Sequence, residues 1–222
     1  MGFLLILLAL ALSGDGGSGS DAPGNPVTMS RGKNTLAQLL ARTSLDETQR
    51  NFLILTAYGE SRWSSGAANK SITEAAASGR AYDRHADYFA ANCPEPRSGY
   101  VWGSGGWFGL LPPNPLWILR ASGLKCWPGA YVFDPVASIV AAIAFARQLQ
   151  GWTGFKANPT VLNLRIGWGR PTAMSEPHDP AKVAKFREHA RKAGFDELFL
   201  LRPIKRFPGN YAEIFAALSG GA

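Results

Sequence analysis

The dipeptides Asn114-Pro115, Asp134-Pro135, Asn158-Pro159 and Asp179-Pro180 each stand ahead of a run with helical periodicity. The pairing is a start signal with a mechanism. The Asx side chain accepts from free N–H groups of the first turn, and proline at the first helical position has its φ already set and no N–H to leave unpaired. The runs extend to Gly123, Gly151, Gly167 and Gly194, and glycine suits a helix C-terminus because it reaches positive φ without steric penalty. Ser44-Leu45-Asp46-Glu47 reads as a capping box for a further helix carrying Phe52, Leu53, Leu55 and Tyr58, with Gly59 as its stop. Ser71-Ile72-Thr73-Glu74 reads as a second box, for a helix broken at Gly79 and resumed from Tyr82 to Ala91, and a last helix spans Asn210 to Leu218. No run of alternating β-branched residues competes with these signals, so the expected class is all-α.

The chain has 222 residues, 46% hydrophobic and 18% charged, enough for one buried core and too apolar for a disordered chain. Residues 1–13 form an apolar segment read as a signal peptide, with Ala11-Leu12-Ser13 as the cleavage region. A helix of about a dozen residues rises roughly 18 Å, short of a hydrocarbon core of about 30 Å, which disfavours a stable membrane span. Residues 14–33 read as a Gly/Ser/Pro-rich linker and residues 34–222 as the folded domain. The expected location is periplasmic or secreted, or inside a phage virion, with membrane contact confined to the N-terminal segment. Cys93 and Cys126 are the only cysteines; export would make a disulfide between them natural, and retention in the cytosol would leave two thiols.

Charge narrows the partners without choosing one. The net charge is +7, and because residues 1–26 contain Asp15 and Asp21 but no Lys or Arg, the rest carries 23 basic against 14 acidic side chains, a balance of +9. Eight of the basic residues fall between Lys182 and Arg206. Their solvated face would suit anionic wall polymers; nothing beyond charge recommends nucleic acid, which is not expected as a partner. His85, His178 and His189 lack metal-ligand spacing and receive no role, and neither a metal nor a cofactor is expected.

The residues with chemistry gather at two places. Glu60 follows Gly59 among Tyr58 and Trp63, where partial desolvation would raise its pKa towards that of a working general acid. The stretch Tyr100-Val101-Trp102-Gly103-Ser104-Gly105-Gly106-Trp107-Phe108-Gly109-Leu110-Leu111-Pro112 is rich in glycine and aromatics, as functional loops of this length often are.

Glu60-Ser61-Arg62-Trp63, the Gly109-Leu110-Leu111 segment, a helix introduced by Asp134-Pro135 and the turn Leu164-Arg165-Ile166-Gly167-Trp168-Gly169 together resemble the lysozyme-like lytic transglycosylases of the soluble lytic transglycosylase and goose-type lysozyme superfamily. The resemblance covers about residues 45 to 175. It implies a lysozyme-like helical domain in which Glu60, at the end of a core helix, is the single catalytic acid/base. Ser61, Trp63, Trp102, Trp107, Phe108, Gly109, Leu110, Leu111, Arg165 and Trp168 would line the substrate cleft. Three departures stand out. Pro112 replaces the family's Gln, Leu164 and Arg165 replace its Tyr-Asn, and the gap from Glu60 to Gly109 exceeds the usual twenty-odd residues; Tyr58, Tyr100 or Tyr131 would have to replace the missing tyrosine.

The implied reaction is cleavage of the β-1,4 bond between N-acetylmuramic acid and N-acetylglucosamine in peptidoglycan, without a cofactor. Hydrolysis by inversion would need a second carboxylate about 6.5–9.5 Å away, for which Glu74, Asp83 and Asp87 are the candidates. With none of them clearly paired to Glu60, the transglycosylase outcome is favoured over muramidase hydrolysis. Two other readings remain: a non-catalytic wall-binding, phage or secretion protein that retains the fold, and a chitinase-like glycosidase.

Overall fold

The computed structural model describes residues 26–67, 81–82, 100–101, 105–110 and 135–220. Within them the protein is mainly helical: α1 (Pro26–Ala41), α2 (Glu47–Ser61), α3 (Pro135–Leu149), α4 (Thr153–Ala157), α5 (Val161–Gly169), α6 (Pro180–Ala193) and α7 (Tyr211–Ser219), with 3-10 turns at Pro171–Ser175 and Glu197–Leu201. Two strands of two residues, β1 (Ala81–Tyr82) and β2 (Tyr100–Val101), pair in parallel with Ala81 opposite Tyr100. The all-α class follows from the sequence signals, although Tyr82 lies in β1 where a resumed helix was expected.

The core is built on α2 and α3. Helix α3 is apolar on all sides, with Ile139, Val140, Ile143 and its alanines buried, the pattern of a helix surrounded by other elements. Helix α2 starts at Asp46, whose carboxylate accepts from the Gln49 N–H at 2.9 Å while the Gln49 side chain accepts from the Asp46 N–H at 3.0 Å. The N-cap is therefore Asp46 rather than Ser44. The reason is tertiary: the same Gln49 amide donates to the carbonyls of Lys205 and Arg206, which fixes Gln49 as the reciprocal partner. Phe52, fully buried in α2, meets Trp168 and Phe207 edge-on at 5.8 and 5.9 Å.

Other boundaries shift for similar reasons. Helix α1 begins at Pro26, so residues 26–33 are helical where linker was expected. Its Lys33 ammonium donates to the Ala193 carbonyl at 2.7 Å, placing a cation on the exposed carbonyl end of α6. Helix α5 starts from Thr160, not Asn158, because the Pro159 carbonyl accepts from the Ile204 N–H in a short antiparallel contact. It also continues past Gly167 to Gly169, and α3 stops at Leu149, just before Gly151. Asp179, Pro180 and Gly194 bound α6 as their chemistry predicts, with Gly194 at φ 85°, and Asn210 stands at the N-cap of α7.

The segment from Pro203 to Gly209 forms no helix or strand, yet much of its polar backbone is held by side chains of α2, of α3 and of Gln150 just after α3. Gln49 and Gln150 both donate to the Lys205 carbonyl, Gln150 accepts from the Phe207 N–H, and Arg147 donates to the Phe207 carbonyl. The N-terminal segment, the Ser71–Glu74 box, the Asn114-Pro115 start and Cys93 and Cys126 lie outside the described residues. Among the described residues no helix is long and apolar enough to cross a membrane. Removing the α2 cap with Asp46→Ala should lower stability by about 1 kcal/mol, read as a lower urea midpoint at unchanged m-value.

Candidate active site

Helix α2 does not stop at Gly59. It continues through Glu60 and Ser61 and ends at Arg62, which adopts a left-handed conformation (φ 53°), as does Trp63 (φ 62°). Two non-glycine residues in this region are strained, and the contacts that hold them there are specific. The Trp63 N–H donates back to the Ala57 carbonyl, the Trp63 indole N–H donates to the Ile54 carbonyl at 2.9 Å, and the Arg62 guanidinium lies 4.5 Å from the centre of the Tyr58 ring. Glu60 thus sits in the last turn of a core helix with its side chain 29% exposed. A carboxylate there faces the negative end of the helix dipole and gains from a cationic partner.

Arg165 of α5 supplies that partner. Its Nη2 donates to Glu60 Oε1 at 2.5 Å, with the Arg165 side chain only 5% exposed. The guanidinium also lies 4.9 Å from the centre of the Phe186 ring of α6. The close approach depends on Gly59, where a Cβ would come within 2.6 Å of Arg165 Nη2 and 3.1 Å of His189 Nδ1. Gly59 therefore serves the packing of α5 and α6 against α2 rather than helix termination.

The third side of the site is the turn 105–110. An antiparallel bridge joins Gly105 to Leu110, and Gly109 takes φ +57°. A Cβ at Gly109 would stand 2.9 Å from Glu60 Oε2, so the glycine is required both for its backbone conformation and for the space beside the carboxylate. Three side-chain hydrogen bonds fasten this turn: Ser61 Oγ to the Trp107 carbonyl at 2.9 Å, the Trp107 indole to the Trp63 carbonyl at 3.0 Å, and the Trp168 indole to the Phe108 carbonyl at 3.1 Å.

Three separate segments expected to form the site, around Glu60, Gly109 and Arg165, therefore meet. Several expected cleft side chains are buried. Trp63, Trp107, Phe108, Leu110 and Trp168 are 6, 2, 1, 3 and 6% exposed and belong to the core, so none of these five offers a free face to a sugar. Ser61 Oγ, which is also 2.9 Å from the Ala57 carbonyl, ties helix to turn. Arg165 is directed at Glu60. Tyr58 is buried against Trp63 and His189. Trp102, Leu111, Glu74, Asp83, Asp87 and Tyr131 lie outside the described residues.

His189 is the residue the sequence reading passed over. It stands three positions after Phe186 on the apolar stripe of α6, the one signal that could have marked it as buried. It is 5% exposed, and Nδ1 has no hydrogen-bond partner among the described residues. Burial, followed by the charges of Arg165, Arg62 and Lys185, pushes its pKa down from 6.5 to about 4, with Glu188 opposing. Among the described residues no group of three or more His, Cys, Asp or Glu is placed to hold a metal ion.

Compared with family models, with curated proteins and with solved structures, the chain matches none. What the geometry defines is an all-α protein with a carboxylate and guanidinium pair at the end of a core helix, roofed by a glycine.

A histidine held neutral in the folded state binds its proton more readily when unfolded, so stability rises with pH between the two pKa values. The contribution is present in full above about 6.5 and is lost as pH falls towards 4. From the shift it amounts to about 3 kcal/mol. His189→Gln should flatten the dependence of urea stability on pH in this window.

Proposed function

We propose that this chain is a peptidoglycan lytic transglycosylase of lysozyme-like fold, with Glu60 as its single acid/base. One observation carries the reading: the carboxylate at the end of core helix α2 is brought directly against Gly109 of the Gly-Leu turn and against α5, the segments through which the chain resembles that family. A partly exposed acid at a helix end, beside the glycine of a turn, leaves room for a polymer bond to approach.

Glu60 protonates the oxygen leaving with N-acetylglucosamine as oxocarbenium character develops at C1 of the muramoyl residue. The resulting carboxylate then removes the proton from the muramoyl 6-hydroxyl as that oxygen bonds to C1. The product is a 1,6-anhydro end, Glu60 regains its proton, and no water is consumed. One carboxylate suffices because the nucleophile belongs to the substrate. All eight Lys and Arg side chains between Lys182 and Arg206 are exposed, a surface that favours residence on an anionic wall and weakens with salt. The location that accompanies this function is the periplasm, the exterior or a virion.

The ion pair itself favours a second reading, a wall-binding protein whose acid is held by Arg165 and does not turn over. Glu60→Gln separates the two. In a transglycosylase the change abolishes release of muropeptides from purified sacculi, and mass spectrometry of the wild-type digest finds anhydro ends, lighter by one water than hydrolysed ends. Binding of sacculi with no release by the wild type selects the second reading, and equal release by Glu60→Gln eliminates Glu60 as the acid. The variant leaves Arg165 without its anion and should lose about 1–3 kcal/mol of stability, so its folded fraction is measured by circular dichroism at the assay temperature.

A further inference from the structure

The two oxygens of Glu60 have different surroundings. Oε1 accepts from Arg165 Nη2 at 2.5 Å, while Oε2 is the oxygen facing Gly109. A guanidinium has donors only and keeps its charge at any ordinary pH. Oε1 therefore remains an acceptor whether or not the carboxyl is protonated, since an O–H at Oε1 would point a donor at a donor. The proton of the acid form is confined to Oε2. The 5% exposure of Arg165, its contact with the Phe186 ring and the tight fit over Gly59 hold the guanidinium in place, so that it fixes the carboxyl plane.

We propose that Arg165 is the positioning residue of this site, anchoring Oε1 of Glu60 so that Oε2, beside Gly109, is the oxygen that gives and takes the proton. The inference rests on Glu60 being the acid/base. Arg165 does not reach the substrate in this scheme. It acts through Glu60, and Gly109 keeps clear the space into which Oε2 delivers.

The test is steady-state kinetics on soluble, uncrosslinked glycan strands with wild type, Glu60→Gln, Arg165→Met, Arg165→Lys and Gly109→Ala, each checked for folding by thermal melting. Loss of the anchor should lower kcat by about 100-fold, the scale expected for a small misplacement of a reacting group, with KM within about threefold. Arg165→Lys, which keeps a cation near Oε1, should recover at least about tenfold over Arg165→Met. A purely structural role would not divide kcat from KM in this way. If Arg165→Met does not fold, Gly109→Ala still tests the working oxygen: its Cβ crowds Oε2 and leaves the Oε1 contact in place, so kcat should fall there too. The proposal is overturned if folded Arg165→Met keeps kcat within threefold, if its loss lies in KM alone, if Arg165→Lys is as impaired as Arg165→Met, or if Gly109→Ala keeps the wild-type kcat. Those results with an inactive Glu60→Gln remove Arg165 only; a fully active Glu60→Gln, or an inactive wild type, removes the acid/base reading and this proposal together.

Discussion

A guanidinium buried in the middle of an apolar helix must find an anion, because an unpaired charge in that setting is far more costly than the turn of helix that carries it. Arg165 meets this requirement across 105 residues of chain. The consequence is a joint: α5 brings the cation, α2 brings Glu60, α6 covers the guanidinium with Phe186, and Gly59 lets the three helices approach. Much of what makes the site one place instead of three segments follows from satisfying that charge. The same elements are joined a second time through Trp168 of α5, which packs against Phe52 of α2, Phe108 of the turn and Phe145 of α3.

The fold was most legible where a signal is local. Asp179-Pro180 and Gly194 bound α6 because cap, preset φ and positive φ act within one turn of the chain. It was least legible where two local solutions compete. Ser44 and Asp46 can both cap a helix, and the choice falls to Asp46 because Gln49 is also held by carbonyls of residues 205 and 206. Asn158-Pro159 is a sound start signal displaced to Thr160 by a pairing with residue 204. A sequence pattern carries no information about such distant partners.

The site shows the same division. Glu60 and Gly109 stood out as residue types, and they do lie against each other. Trp63, Trp107, Phe108 and Trp168 are buried where cleft positions were expected, because the pattern of a tryptophan meant for a sugar face is the same as that of one meant for the core; only packing distinguishes them. Trp63, Trp107 and Trp168 direct their indole N–H groups to main-chain carbonyls, a use of the polar edge that frees the rest of the ring for burial. Arg165 was visible as a departure from a family pattern, and its partner was not. His189 has no metal-ligand spacing, and its one signal, a place on the apolar stripe of α6 three residues after Phe186, speaks of burial and not of chemistry.

The segment Pro203–Gly209 shows that irregular backbone and weak backbone are different things. Loops generally open alone because water can take over their hydrogen bonds. Here the carbonyls of Lys205 and Phe207 and the Phe207 N–H are held by Gln49 of α2, Arg147 of α3 and Gln150 directly after α3. Exposing those groups means disturbing the side chains of two core helices, so the segment belongs to the same cooperative unfolding unit as the core. An insertion or a protease nick there would have to work against that whole unit.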